Sequence, residues 1–355
     1  NGHEELPYYR YGFELNLKLR EELLSKYQPQ SHFEQVCISL LRNQMPASFL
    51  ENFGRNIEAT SINYPKNTGI IYTANSILTD DAFKIWTTKQ IEKNKSILVL
   101  GQHSNVYGNL HNQSAEEYER RIADVYVTWG WEEDKKTTAL PPLSLKPFYK
   151  GFSFNLKTSD KIIFVDVSYS LFKSWLYSLP QGSDHWETIQ DVSSFYTSLN
   201  TKLLEKFEHR LYPANFGWDE GDILRSKFPN LKLTNANGEI SFKKQLKSGR
   251  ICVLNYHSMV LSECIAADYP VICFWNFEST KLRQGIKYLY QNLEDVGILH
   301  SSPKSAAEFI DKNYHNIETW WYDEKTIKAK KAYASKFCRS EHEPEKAWAN
   351  FFNQL

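Results

Sequence analysis

The apolar positions of this chain first recur at helical spacing and then gather into short continuous runs. Phe13, Leu15, Leu17, Leu19, Leu23 and Leu24 form one apolar stretch. Phe33, Val36, Cys37, Leu40 and Leu41 follow, and Phe49, Phe53 and Ile57 continue at intervals of four. This spacing predicts a helical opening. The period then changes. Residues 69–73 read as a strand, 80–93 as an amphipathic helix, and 96–100 as a second strand closed by Gly101. Ser114-Ala115-Glu116-Glu117 has the form of a capping box that opens a helix, and residues 125–128 make a third strand. Short apolar strands alternating with helices imply parallel β-α units.

Residues 132–150 interrupt the pattern with the charge run Glu132-Glu133-Asp134-Lys135-Lys136 and the pair Pro141-Pro142, which predicts a boundary. Beyond it the alternation returns. Strands are expected at 161–165, 209–212, 231–233, 250–254 and 270–275, with helices at 193–207, 219–227, 259–268 and 280–293. Residues 303–355 read as helical. With 355 residues, the chain is long enough for two domains. The expected fold is therefore α/β, with two Rossmann-type domains facing across a cleft and a helical C-terminal tail. The expected divisions are 1–150, 151–325 and 326–355, with the last helices packing back on the first domain. Because the chain opens on Asn1, its first element is expected to be truncated.

Composition narrows the function. Lys plus Arg and Asp plus Glu each number 42, for a formal net charge of zero, and no basic run occurs, so a nucleic-acid partner is excluded. Aromatics make up 15% of the chain, which serves a large core and also suits carbohydrate clefts. The five cysteines, Cys37, Cys252, Cys264, Cys273 and Cys338, include no C-x-x-C pair, which fits a reducing compartment and neither a zinc site nor a disulfide framework. No apolar run reaches the roughly 18–20 residues that span a bilayer, and no signal peptide is expected. The expected location is cytoplasmic, with room for loose association at the inner face of a membrane.

The most informative segment runs from Asn255 to Ile272: a buried strand's end, a polar turn, a helix, and a second buried strand opening at Pro270. His257 and Ser258 fall at the helix N-terminus, where free amides favour a phosphate. Glu263 lies inside that helix, placed to reach ribose hydroxyls. The same spacing also describes an N-cap serine and a solvated glutamate.

This segment resembles the nucleotide-binding half of GT-B glycosyltransferases. Three further segments extend the likeness: Gly101-Gln102-His103-Ser104-Asn105-Val106-Tyr107-Gly108, Asp124-Val125-Tyr126-Val127-Thr128-Trp129-Gly130-Trp131, and His209-Arg210-Leu211-Tyr212-Pro213-Ala214-Asn215-Phe216-Gly217-Trp218. With Lys281-Leu282-Arg283 they resemble bacterial O-antigen and capsule transferases, near the retaining β-Kdo transferases that use CMP-Kdo. The likeness covers residues 96–300, and departs at Ser104-Asn105-Val106, where a glycine-rich stretch is expected. It implies a nucleotide-sugar donor, with CMP-Kdo first, and a lipid-linked glycan acceptor. It implies no other cofactor. Peripheral membrane association or fusion to other transferase domains would fit such a role.

Within that frame, Gln102, His103, Ser104 and Tyr107 follow a strand and suit a sugar or acceptor, or else form a polar turn. Among Glu116, Glu117 and Glu119, Glu117 is the expected acid/base. The resemblance points to Asp191 as the carboxylate nucleophile, with Asp166 and Asp219 as rivals. Arg210 and Arg283 are the cations expected to meet a donor phosphate or sugar carboxylate. No metal-ligand spacing occurs. Two other readings remain: a transferase using a UDP- or GDP-sugar, and a non-catalytic carbohydrate- or nucleotide-binding module.

Overall fold

The computed structural model describes residues 15–149, 159–172, 177–341 and 343–355. Phe13 and the expected junction at 150–151 lie outside them. The chain divides into two compact units, Asn1–Val99 and Leu100–Leu355.

The first unit holds helices α1 (Leu17–Leu24), α2 (His32–Gln44) and α3 (Phe53–Asn63), strand β1 (Ile70–Thr73), and helix α4 (Asp81–Asn94). Each start has a chemical signal. Asn16, Ser31 and Asp80 accept backbone amides at the openings of α1, α2 and α4. The apolar stripe that predicts α1–α3 is only partly covered: Leu17, Phe33, Leu40 and Phe53 are exposed, Phe33 to 76%.

Strand β2 (Ile97–Gly101) follows, then α5 (Ser114–Ile122), β3 (Val125–Thr128) and β4 (Thr137–Ala139), giving a four-stranded sheet in the order β1-β2-β3-β4. Strand β4 lies inside the expected boundary segment and pairs in parallel with β3, Tyr126 opposite Thr137. Helix α5 begins at Ser114, the expected cap, and its actual cap lies one residue earlier. Gln113 is its N-cap, with the side-chain oxygen accepting from Ala115 and Glu116 amides.

The remaining strands are β5 (Lys161–Val165), β6 (Phe207–Arg210), β7 (Lys232–Thr234), β8 (Gly249–Leu254), β9 (Val271–Phe274) and β10 (Leu299–His300). They form a parallel six-stranded sheet in the order β10-β9-β8-β5-β6-β7. The helices among them are α6 (His185–Ser198), α7 (Glu220–Lys227), α8 (Met259–Ala266), α9 (Lys287–Asp295) and α10 (Pro303–Asn313). The tail adds α11 (Glu324–Phe337) and α12 (Pro344–Phe352). The α/β class with parallel sheets is the one the residue pattern predicts.

Strands β5, β8 and β9 are apolar on both faces because helices cover both, and Phe164, Phe195, Phe274, Val253 and Ile310 share one core. Two helices depart most from expectation. Helix α6 starts at His185 rather than 193 and stops at Ser198, because Leu199 is extended and Asn200 caps a fresh short turn, which frees Phe207 to pair with Ile162 in the sheet. The helix expected from 280 begins at Lys287, since Leu282 bridges Leu110 and Arg283 N–H donates to Asn109 O, holding that stretch extended.

Candidate functional site

The order of the six-stranded sheet sets where a ligand can sit. From β5 the chain builds outward through β6 and β7, then returns to β8 on the other side of β5. A crevice opens outside the carboxyl ends of the strands at such a switch point. Here it lies between the turn after β5, starting at Asp166, and the turn after β8, from Asn255 to Ser258.

Asp166 pins the two turns together. Its Oδ1 accepts from Val167 N–H and from Asn255 Nδ2, each at 2.8 Å, and Oδ2 lies 3.1 Å from His209 Nε2. The other nitrogen of His209 is 2.8 Å from the Tyr196 hydroxyl. Both oxygens of Asp166 are thereby engaged within the protein.

Beside this junction a narrow cleft of about 10 Å³ is lined by Glu187, Thr188 and Asp191 from α6, Asn255, Tyr256 and His257 after β8, and Trp275, Asn276, Ser279 and Thr280 after β9. Asp191 and His257, two of the residues singled out by sequence, therefore share one cleft. Asp191 sits in the middle of α6, not before its first turn. Burial, with Glu187 one helical turn away adding like charge, pushes its carboxyl up to about 6. His257 is buried, its Nε2 is 2.7 Å from the Tyr290 hydroxyl, and burial lowers its pKa to about 4. Asn255 Oδ1, His257 Nδ1 and Trp275 Nε1 are buried without hydrogen-bond partners. Such atoms are costly unless something else satisfies them.

Other expected residues have different surroundings. Ser258 is the N-cap of α8, its hydroxyl accepting from Val260 N–H, and Asn105 Nδ2 donates to its carbonyl. Glu263 sits on α8 outside the cleft lining, and burial pushes it up to about 7. Arg210 donates to Ile240 O at 2.7 Å and Gln245 Oε1 at 2.9 Å. Arg283 donates to Leu110 O, Glu116 Oε1 and Glu133 Oε2, with its guanidinium 5.9 Å from the Trp131 ring centroid. Neither arginine lines the cleft.

In the loop after β2, Gln102 is turned inward. Its oxygen accepts from Trp129 N–H and Trp131 Nε1, and its amide nitrogen donates to Ser104 O. Tyr107 is fully buried, while His103 and Ser104 are partly exposed. Glu117 is exposed, whereas its neighbours Glu116 and Glu119 are buried. Glu119 accepts from the Tyr126 hydroxyl at 3.1 Å and lies 4.0 Å from His103. Burial first, then the Glu116 charge, pushes it up to about 8 against its tyrosine hydrogen bonds. A second, roomier crevice of about 160 Å³ lies between the turns after β5 and β6 and includes Asp166, Asp219 and Glu220. Among the described residues no group of three His, Cys, Asp or Glu is placed to hold a metal ion.

Sequence reasoning passed over Asn255 and Trp275 as individual residues. The available signal was position: each directly follows a buried parallel strand, where side chains turn into the crevice.

No curated protein sequence matches the chain. Among solved structures it is similar to the wall teichoic acid polymerase TagF, at 10% identity and TM-score 0.40, with 85% of this chain and 86% of that chain covered. It is also similar to a putative UDP-N-acetylglucosamine 2-epimerase from Listeria monocytogenes, at 10% identity and TM-score 0.49, covering 85% and 79%. A third likeness is to Anabaena Alr3699/HepE in complex with UDP and glucose, at 12% identity and TM-score 0.48, covering 87% and 83%. A family model described as LIC12162 family transferase matches residues 5–352. Since that match takes in nearly the whole chain, the protein belongs to the LIC12162 family of transferases.

Proposed function

We propose that the protein is a GT-B-type glycosyltransferase that moves a sugar from a nucleotide donor to a lipid-linked surface glycan. The observation that carries this reading is the switch-point cleft, where a carboxyl with a raised pKa, Asp191, shares one pocket with the unpartnered polar atoms of Asn255, His257 and Trp275. The family supports group transfer as the reaction. In a retaining form of the mechanism Asp191 attacks the anomeric carbon, the nucleotide departs, and the acceptor hydroxyl, giving its proton to a base for which Glu117 is the candidate, then displaces Asp191.

The donor is a UDP-, GDP- or CMP-sugar, and CMP-Kdo is the specific form to test first. The acceptor side is assigned to residues 1–150 and the donor side to 151–325. Supporting that division, the strands of the four-stranded sheet lie within 70–139 and those of the six-stranded sheet within 161–300. No helix among the described residues is long and apolar enough to cross a membrane. We place the reaction at the cytoplasmic face of the inner membrane, where the acceptor's lipid would be held.

Thermal unfolding with CMP, UDP and GDP, each free and sugar-linked, selects the donor. Saturation to 100 times Kd adds about 2.7 kcal/mol. Donor hydrolysis by the wild type and by Asp191→Asn then tests the chemistry. Loss of hydrolysis with nucleotide binding kept is the expected result. Full turnover in the variant would remove Asp191 from the mechanism, and binding without any hydrolysis would favour a non-catalytic module.

A further inference from the structure

The loop 211–219, between β6 and α7, contributes nothing to the narrow cleft beside Asp191, yet its side chains are firmly held. Asn215 Oδ1 accepts from Gly217 N–H at 2.8 Å, and its Nδ2 donates to Asp219 Oδ1 at 2.6 Å. Trp218 Nε1 donates to Tyr169 O at 2.8 Å, which ties the loop to the turn after β5. Asp219 is left-handed, at φ +53° and ψ +39°, a conformation unfavourable to a residue with a Cβ and one that clusters at ligand sites.

Tyr212, Asn215 and Asp219 from this loop line the crevice between the turns after β5 and β6, together with Ser168 and Glu220. The crevice measures about 160 Å³, and a cavity of about 150 Å³ admits benzene, so one six-membered ring fits. The cleft beside Asp191, at about 10 Å³, takes about one water. The lining combines an aromatic face with carboxylates. Tyr212 is 44% exposed, beside Phe216 at 5.8 Å between ring centroids. Glu220 is 9% exposed. Its Oε1 accepts the Ser168 hydroxyl and lies 3.2 Å from His185 Nε2, while its Oε2 takes no hydrogen bond from a described residue. The same holds for Asp219 Oδ2. Arg225 is the only lysine or arginine in the lining among the described residues, and it pairs with Asp222.

A matching ligand brings protons to two carboxylate oxygens, carries no negative charge and offers an apolar face to Tyr212. Phosphate and carboxylate groups fail on charge and bring no protons. Among the described residues the carboxylates are not grouped to hold a metal ion. Sugar hydroxyls and ammonium groups donate, and the C–H face of a sugar ring packs on an aromatic side chain. We propose that this crevice binds one sugar ring that bears hydroxyl or ammonium groups and no acidic group. Glu220 and Asp219 accept from the ring, and Tyr212 packs against its face. The site goes beyond the transferase reading, since a carbohydrate-binding module would use the same crevice.

The test is ligand-observed NMR on the full chain with glucose, N-acetylglucosamine, glucosamine, glucuronate and inorganic phosphate, read by saturation transfer for the sugars and by phosphorus line width for phosphate. At least one of the first three should bind, and neither glucuronate nor phosphate should compete with it. Glu220→Gln and Asp219→Asn keep the oxygens used within the protein and should each weaken that sugar about tenfold. Tyr212→Ala removes an exposed ring and should weaken it several-fold. If Glu220→Gln fails to fold, the two variants at exposed positions decide. Competition by glucuronate or phosphate, binding untouched by the folded variants, or no binding by any of the three sugars overturns the proposal. Sugar binding that these variants weaken, in a chain that hydrolyses no sugar nucleotide, keeps this site and rejects the transferase reading.

Discussion

Glu119 shows how far identical residue types diverge when only their surroundings differ. Glu117, two positions earlier on α5, faces solvent, while Glu119 is buried with its carboxylate among Tyr126, Tyr107 and His103. Sequence spacing placed three glutamates on one helix and favoured Glu117, but it did not show which of them is buried, because that depends on which face the core takes. The raised pKa has a definite consequence for stability. The unfolded carboxyl loses its proton near 4.5, the folded one near 8, so the favourable contribution is full below 4.5 and is lost as pH rises through about 8. Glu119→Gln removes this dependence. Urea unfolding of both proteins at pH 5 and pH 8 should show a wild-type loss that the variant lacks, up to about 4 kcal/mol before relaxation of the site reduces it. Parallel pH profiles for the two proteins would mean that Glu119 titrates normally.

At the scale of elements, the long strands were legible, whereas two of the shortest were not. The segments 97–100, 162–165, 251–254 and 271–274 are continuous apolar runs, as a sheet covered on both faces requires. Strands β4 and β10 have three and two residues and carry no period to detect. The errors at α6 and α9 share a cause: long-range pairing of Phe207 with Ile162 and of Leu282 with Leu110 overrode helical spacing. The turn between β2 and α5 depends on Gly108, at φ +73°, whose N–H donates to Glu116 Oε2 at 2.8 Å. A Cβ there would overlap the Trp131 indole, the same ring that Arg120 and Arg283 lie over. Gly108→Ala combines a disfavoured φ with that overlap, and should cost more than about 1 kcal/mol in thermal unfolding. A neutral result would show that Trp131 can move aside and that its contacts with the two arginines are dispensable.

At the scale of the molecule, the aromatic richness that composition left ambiguous goes largely into the core, and the cleft draws on few of these residues. The two arginines expected at a phosphate also bind within the protein, Arg210 to Ile240 O and Arg283 to Leu110 O and Glu116 Oε1. The tail is part of this economy within residues 100–355. Tyr333 on α11 accepts from Asn105 Nδ2 at 3.2 Å, and Asn105 O in turn holds Asn109, which orients Tyr290 and so His257. Trp348 on α12 is buried and donates from Nε1 to Pro141 O at 2.8 Å. Two variants separate anchoring from alignment. Trp348→Ala leaves a large cavity and should destabilise by about 3–5 kcal/mol. Tyr333→Phe keeps the ring but removes the hydroxyl that takes up Asn105, and should cost only about 1 kcal/mol. If the chain of hydrogen bonds sets the imidazole's orientation, Tyr333→Phe will nevertheless weaken sugar-nucleotide binding in calorimetric titration more than Trp348→Ala does at a temperature where both are folded. The opposite order would make the tail an anchor alone and leave the alignment of His257 to Asn109 and Tyr290.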